Sequence, residues 1–123
     1  MMLNVAFTVV LVAVLLGTTL AVQYLRGGIE HPTPWTLAAL HGVIGIGGLC
    51  CLVLALRGPP RGFDQGTASF GVIAATLLAL AALAGLGILL IRRGKKQRAG
   101  TLIGLHATLA ISGFVVLAAY LVA

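Results

Sequence analysis

Four long apolar runs constrain this chain more than any other feature of its sequence. They are Met2 to Leu25, Trp35 to Leu56, Thr67 to Ile91 and Thr101 to Val122. Each exceeds the ~20 residues that cross ~30 Å of hydrocarbon at ~1.5 Å per residue. Lipid offers backbone N–H and C=O groups no partner, so a run of this length satisfies them internally, as a helix. The connectors RGGIEHPTP, RGPPRGFDQG and RRGKKQRAG are short, which makes successive helices antiparallel neighbours. The expected fold is all-α: a single membrane domain, residues 1–123, of four transmembrane helices in an up-down-up-down bundle.

The charges support this division. Arg26, Glu30, Arg57, Arg61, Asp64, Arg92, Arg93, Lys95, Lys96 and Arg98 all fall between the runs. With 60% hydrophobic and 8% charged residues, nothing is left to build a water-facing catalytic domain. The net charge of +6 is not a nucleic-acid signal, because five of the eight basic residues lie in RRGKKQR between two apolar runs. A basic loop in that place orients a chain during membrane insertion and attracts anionic head groups. The first run has no Lys or Arg before it and is too long for the apolar part of a secretory leader, so it reads as a retained helix. Cys50 and Cys51 are adjacent inside a run, without CxxC or CxxCH spacing, and read as small core residues.

Helices two and four repeat one another. TLAALHGVIGIGGLCCLVLAL from Thr36 and TLIGLHATLAISGFVVLAAYL from Thr101 share Thr, Leu, Leu, His, Ile, Gly, Leu and Leu at equal offsets. Helices one and three match weakly, chiefly through Arg26-Gly27 and Arg93-Gly94. The simplest account is a duplicated helical hairpin whose two copies are related by an axis along the membrane normal.

The repeat places two histidines at one depth. His41 is the sixth residue after Trp35 and His106 the sixth after Gly100, on the order of 9 Å below the interface. An ionisable side chain inside a membrane is a functional-site hypothesis by default. Gly45 and Gly48 follow His41, and Ala110 and Gly113 follow His106, at i+4 and i+7. Each histidine therefore opens onto a strip without bulk, which suits a flat ligand. Small-residue helix packing accounts for the glycines but not for the paired histidines.

Helices two and four are diagonal in such a bundle, on the order of 11–14 Å apart, so direct contact of the two rings is awkward and a metal between them fills the gap. Zinc wants about four protein or water ligands; haem iron needs only two axial ones. Thr18 and Thr19 reach His41's depth and are candidate acceptors for its second N–H, although a threonine equally bonds its own helix. Gly85 and Gly87 leave room for a porphyrin edge. His31, in HPTPW, reads as a solvated loop residue, with a contact to a haem propionate or a partner as the secondary reading.

The segments LHGVIGIGG and LHATLAISG, with the other two helices as walls, resemble the four-helix, bis-histidine b-type cytochromes of membranes, broadly the cytochrome b-561 and ferric reductase type. The resemblance implies haem b bound by His41 and His106 and a role in electron transfer. That family carries two histidine pairs; this chain has one, which implies one haem and a quinone or redox-protein partner. Two other functions compete. A cofactor-free accessory or assembly subunit of a larger membrane complex, or a homo-oligomer, would use the histidines as polar glue. A small four-helix transporter would need an intramembrane carboxylate, and Glu30 and Asp64 are both in loops.

The first and third loops hold Arg26, Arg92, Arg93, Lys95, Lys96 and Arg98, against Arg57 and Arg61 on the other side. The expected location is a bacterial inner membrane, with those two loops cytoplasmic and both termini outside. An impermeant thiol reagent applied to intact cells should therefore label a cysteine at position 123 and spare Lys95→Cys. Labelling at position 95 from outside would invert the orientation.

Overall fold

The computed structural model describes residues 1–27, 35–59, 61–91 and 96–123. It contains α1 (Met2–Gly27), α2 (Trp35–Ala55), α3 (Phe70–Ile91) and α4 (Lys96–Val122). Each carries a segment long and apolar enough to cross a membrane. The chain is an integral membrane protein, and its four helices pack as a bundle. Glu30, His31, Arg92, Arg93 and Lys95 lie outside the described residues.

Two helix starts depart most from the apolar runs, for different reasons. α3 begins at Phe70 rather than Thr67 because the chain is still turning there. Gly62 and Gly66 sit at φ 71° and 70°, in the left-handed region that only glycine enters freely. Thr67 N then donates to Gly62 O at 2.9 Å, and Phe70 N donates to Thr67 O at 2.9 Å. α4 begins earlier than Thr101, at Lys96. Lys, Gln and Arg are good helix formers, so the helix continues past the apolar segment Gly100–Val122. Hydropathy marks the membrane, not the end of the helix.

The bundle is two hairpins. α1 packs closely on α2 and α3 on α4; the contacts of α1 with α4 and of α2 with α3 are sparser, and α2 faces α4 across the diagonal. Within each hairpin one glycine sets the close approach. A Cβ on Gly48 would lie 2.8 Å from Val10 Cγ2 and 3.2 Å from Val10 N. A Cβ on Gly113 would lie 2.9 Å from Leu78 Cγ and 3.2 Å from Leu77 Cβ. Both glycines admit the facing helix where any side chain would hold it off.

These contacts fix the register of the repeat. Gly48 and Gly113 are 65 positions apart, as are His41 and His106, while Val10 and Leu78 are 68 apart. At the second spacing Ala6, Thr8, Ala13, Leu15 and Gly17 fall on Ala74, Thr76, Ala81, Leu83 and Gly85. Ala6 and Ala74 are both fully buried, as are Leu52 and Leu117 at the first spacing. Thr8 donates to Asn4 O and Thr76 to Val72 O, each at 2.9 Å. The likeness of Arg26-Gly27 to Arg93-Gly94 is one position out of this register, and Arg93 and Gly94 lie outside the described residues.

The core is uneven along the bundle. Leu3, Ala6, Val10, Leu52, Ala74, Leu117 and Tyr120 form one buried cluster at the end that holds the second loop and both termini. Phe7 and Phe114 stack across the α1–α4 seam with ring centroids 5.2 Å apart. Arg61 N closes that end by donating to the Tyr120 hydroxyl at 3.4 Å. Burial then stops at one level. Beyond Ala13, Gly48, Ala81 and Gly113, toward the first and third loops, none of residues 14–26, 35–47, 82–90 and 100–112 is buried. One half of the bundle is sealed and the other is not.

If the hairpin glycines set this packing, Gly48→Leu and Gly113→Leu should each cost about 1–3 kcal/mol by overpacking, lowering the thermal midpoint in detergent. Gly42 and Gly104, whose added Cβ would meet nothing within 4 Å, should accept leucine without loss. Equal tolerance at all four positions would contradict the packing role.

Candidate bis-histidine site

Both histidines are half-buried at the level where close packing ends. His41 Nδ1 lies 2.9 Å from Ala13 O, and His106 Nδ1 lies 2.7 Å from Ala81 O. A carbonyl oxygen only accepts, so each Nδ1 carries the proton and donates it. With Nδ1 as the donor, an uncharged imidazole here is the tautomer whose Nε2 has a free lone pair. No protein hydrogen bond engages either Nε2 among the described residues.

A helical carbonyl already accepts the N–H of the residue four positions on. For Ala13 that residue is Gly17, and for Ala81 it is Gly85. The missing side chain at these positions uncovers the second lone pair. A Cβ on Gly17 would sit 2.9 Å from His41 Cε1 and 3.3 Å from its Nδ1. A Cβ on Gly85 would sit 3.2 Å from both Cε1 and Nδ1 of His106. The imidazoles occupy the space the glycines leave.

From these footings the two rings reach toward each other across the diagonal. Their centroids are 5.8 Å apart and their planes stand at 85°. This corrects the expectation that direct contact of the two rings across the diagonal is awkward: two histidine side chains span it. The same spacing suits a metal ion. With metal–nitrogen bonds of ~2.0–2.1 Å, two opposed nitrogens lie ~4 Å apart and their ring centres roughly 6 Å apart. No group of three or more His, Cys, Asp or Glu side chains converges among the described residues. The site supplies two nitrogen donors, which suits a metal that needs only two ligands from protein.

The other expected site residues divide. Thr18 donates to Val14 O and Thr19 to Leu15 O, each at 2.9 Å. Both are exposed and bond their own helix; the acceptor for His41 is the Ala13 carbonyl. Gly48 and Gly113 are filled by α1 and α3 and do not open onto the histidines. The space beside Gly85 is filled by the His106 ring, and a Cβ added at Gly87 would meet Leu102 Cδ1 at 3.8 Å. Gly45, whose added Cβ would lie 3.9 Å from Ala13 Cβ, and half-buried Ala110 are one helical turn from each histidine. Cys50 is exposed and Cys51 half-buried, and both are free thiols. A shallow cavity of about 190 Å³ lies at the opposite end, among Met1, Met2, Arg61 and Tyr120. It shares no residue with the histidines.

What the sequence reading missed are the two carbonyls, because every residue has one. The signal was present in the spacing that frees them: AVLLG over residues 13–17 and AALAG over 81–85, each Ala-x-x-x-Gly.

No protein-family model, curated protein or solved structure matches the chain.

Proposed function

We propose that the protein is a membrane b-type cytochrome, with one haem b held between His41 and His106. One observation carries this reading: two imidazoles from diagonal helices, each with Nδ1–H committed to a backbone carbonyl, stand 5.8 Å apart between ring centroids. Axial histidines are commonly oriented by such a second hydrogen bond, which fixes the tautomer and raises the basicity of the ligating nitrogen. The donor set also fits. Two neutral nitrogens satisfy haem iron, whose remaining four positions belong to the porphyrin. The bundle is less closely packed from the histidine level toward the first and third loops, and Gly45 and Ala110 are small residues one turn beyond each histidine on the opposite side.

Haem iron supplies one-electron oxidation and reduction. The chain supplies orientation and solvent exclusion: Ala13 and Ala81 hold the imidazoles, and the packed half from Leu3 to Tyr120 separates them from the opposite face. Lipid surrounds the bundle, as exposed Leu15, Val43, Ile46 and Leu83 require. Under the orientation given by the basic loops, the site lies in the cytoplasmic half of a bacterial inner membrane. One centre on one side does not carry an electron across the sealed half. The reading therefore includes exchange with a quinone or with a redox protein, within a larger membrane complex or a homo-oligomer. The edge-to-face approach of the rings favours a second reading, in which the histidines join the hairpins of a cofactor-free accessory subunit.

The purified protein should show a sharp low-spin α band on reduction, and His41→Ala and His106→Ala should each abolish it. A colourless protein from cells supplied with ample haem would exclude the cytochrome reading and leave the accessory one.

A further inference from the structure

We infer that each hairpin is a complete half-site, and that Gly17 and Gly85 are positioning residues that set the tautomer and ring plane of the histidine in their own hairpin. The inference deepens the proposed function where haem is concerned, but its main content holds for the chain alone.

Three independent matches carry it. His41 bonds Ala13 and His106 bonds Ala81, both partners being in the same hairpin as the ring. The residue four positions beyond each accepting alanine is a glycine whose Cβ would strike that ring. The packing glycines Gly48 and Gly113 meet Val10 and Leu78 in the same register. Nothing that orients either ring through a hydrogen bond crosses between hairpins among the described residues. The seam between them, where α1 meets α4 and α2 meets α3, carries the sparser contacts. Each imidazole is thus held within its own hairpin, by α1 or by α3, and the two rings so held stand at 85° to one another.

Alanine at position 17 or 85 adds one methyl group and removes no donor or acceptor. At 2.9 Å from His41 Cε1, the methyl group at position 17 forces the ring to turn or withdraw, which breaks the bond to Ala13 O. The second position is less crowded, at 3.2 Å, so Gly85→Ala should act in the same sense and more weakly. In both variants the coordinating residue remains.

The test is nitrogen NMR of the full-length, haem-free protein with labelled histidine, in detergent micelles. The parent should show His41 and His106 as neutral rings protonated at Nδ1. Gly17→Ala should shift the His41 resonances and remove its fixed-tautomer pattern, leaving His106 unchanged; Gly85→Ala should do the reverse. Gly42→Ala and Gly104→Ala, in open space, should alter neither. The inference is overturned if the parent rings are protonated at Nε2, if either glycine variant leaves its own histidine unchanged, or if it disturbs both alike. Electron paramagnetic resonance of the ferric haem-loaded protein adds a second readout. Perpendicular axial rings give a strongly anisotropic low-spin signal dominated by one low-field feature, and the glycine variants should move it toward an ordinary rhombic pattern. A rhombic parent would overturn the ring-plane part. Absence of any haem signal beside the expected NMR result would sink the cytochrome reading and leave the half-sites standing.

Discussion

An imidazole N–H placed in hydrocarbon has to find an acceptor, and the remaining features of the site follow from how this chain provides one. Leaving such a group unpaired costs roughly 2–7 kcal/mol, depending on the reference state. The helices offer only carbonyls already engaged in their own hydrogen bonds. Ala13 and Ala81 become available because the residue above each is glycine. That single omission of a side chain opens a lone pair, seats the ring against the neighbouring helix and leaves Nε2 free. The arrangement stabilises a polar side chain inside the membrane while keeping one nitrogen for something else. A histidine serving only to join helices would gain most by using both of its nitrogens.

The two-hairpin construction gives this local device its larger consequence. Gly48 and Gly113 draw α2 onto α1 and α4 onto α3, so each ring is placed within a tightly packed pair. The hairpins then meet through the cluster around Ala6, Leu52, Ala74 and Leu117. That cluster seals one half of the bundle and stops just short of the histidines. The free nitrogens therefore stand at the boundary between a close-packed half and a half that packs less closely.

Much of this was legible in the sequence. Runs of more than twenty apolar residues leave lipid-spanning helices as the outcome, and their short connectors leave an up-down bundle. The equal offsets of His41 and His106 from the repeat in helices two and four placed both at one depth. The glycines were harder. Gly45 and Gly48 occupy one helical stripe, and periodicity alone does not tell which neighbour fills it; the structure puts Val10 against Gly48. The sequence offers Thr18 and Thr19 as side-chain partners for His41, whereas its actual acceptor, the Ala13 carbonyl, leaves no letter in the sequence. The register of α1 against α3 was hidden by apolar composition and emerges only from which residues touch Gly48 and Gly113.

The central proposal is that the Nε2 atoms left free on His41 and His106 together make one binding position per chain for haem. Titration of haem into the purified, haem-free protein tests it most directly. The account predicts saturable low-spin binding that ends at one equivalent per chain. Absence of saturable binding, or saturation at two equivalents per chain, would contradict it.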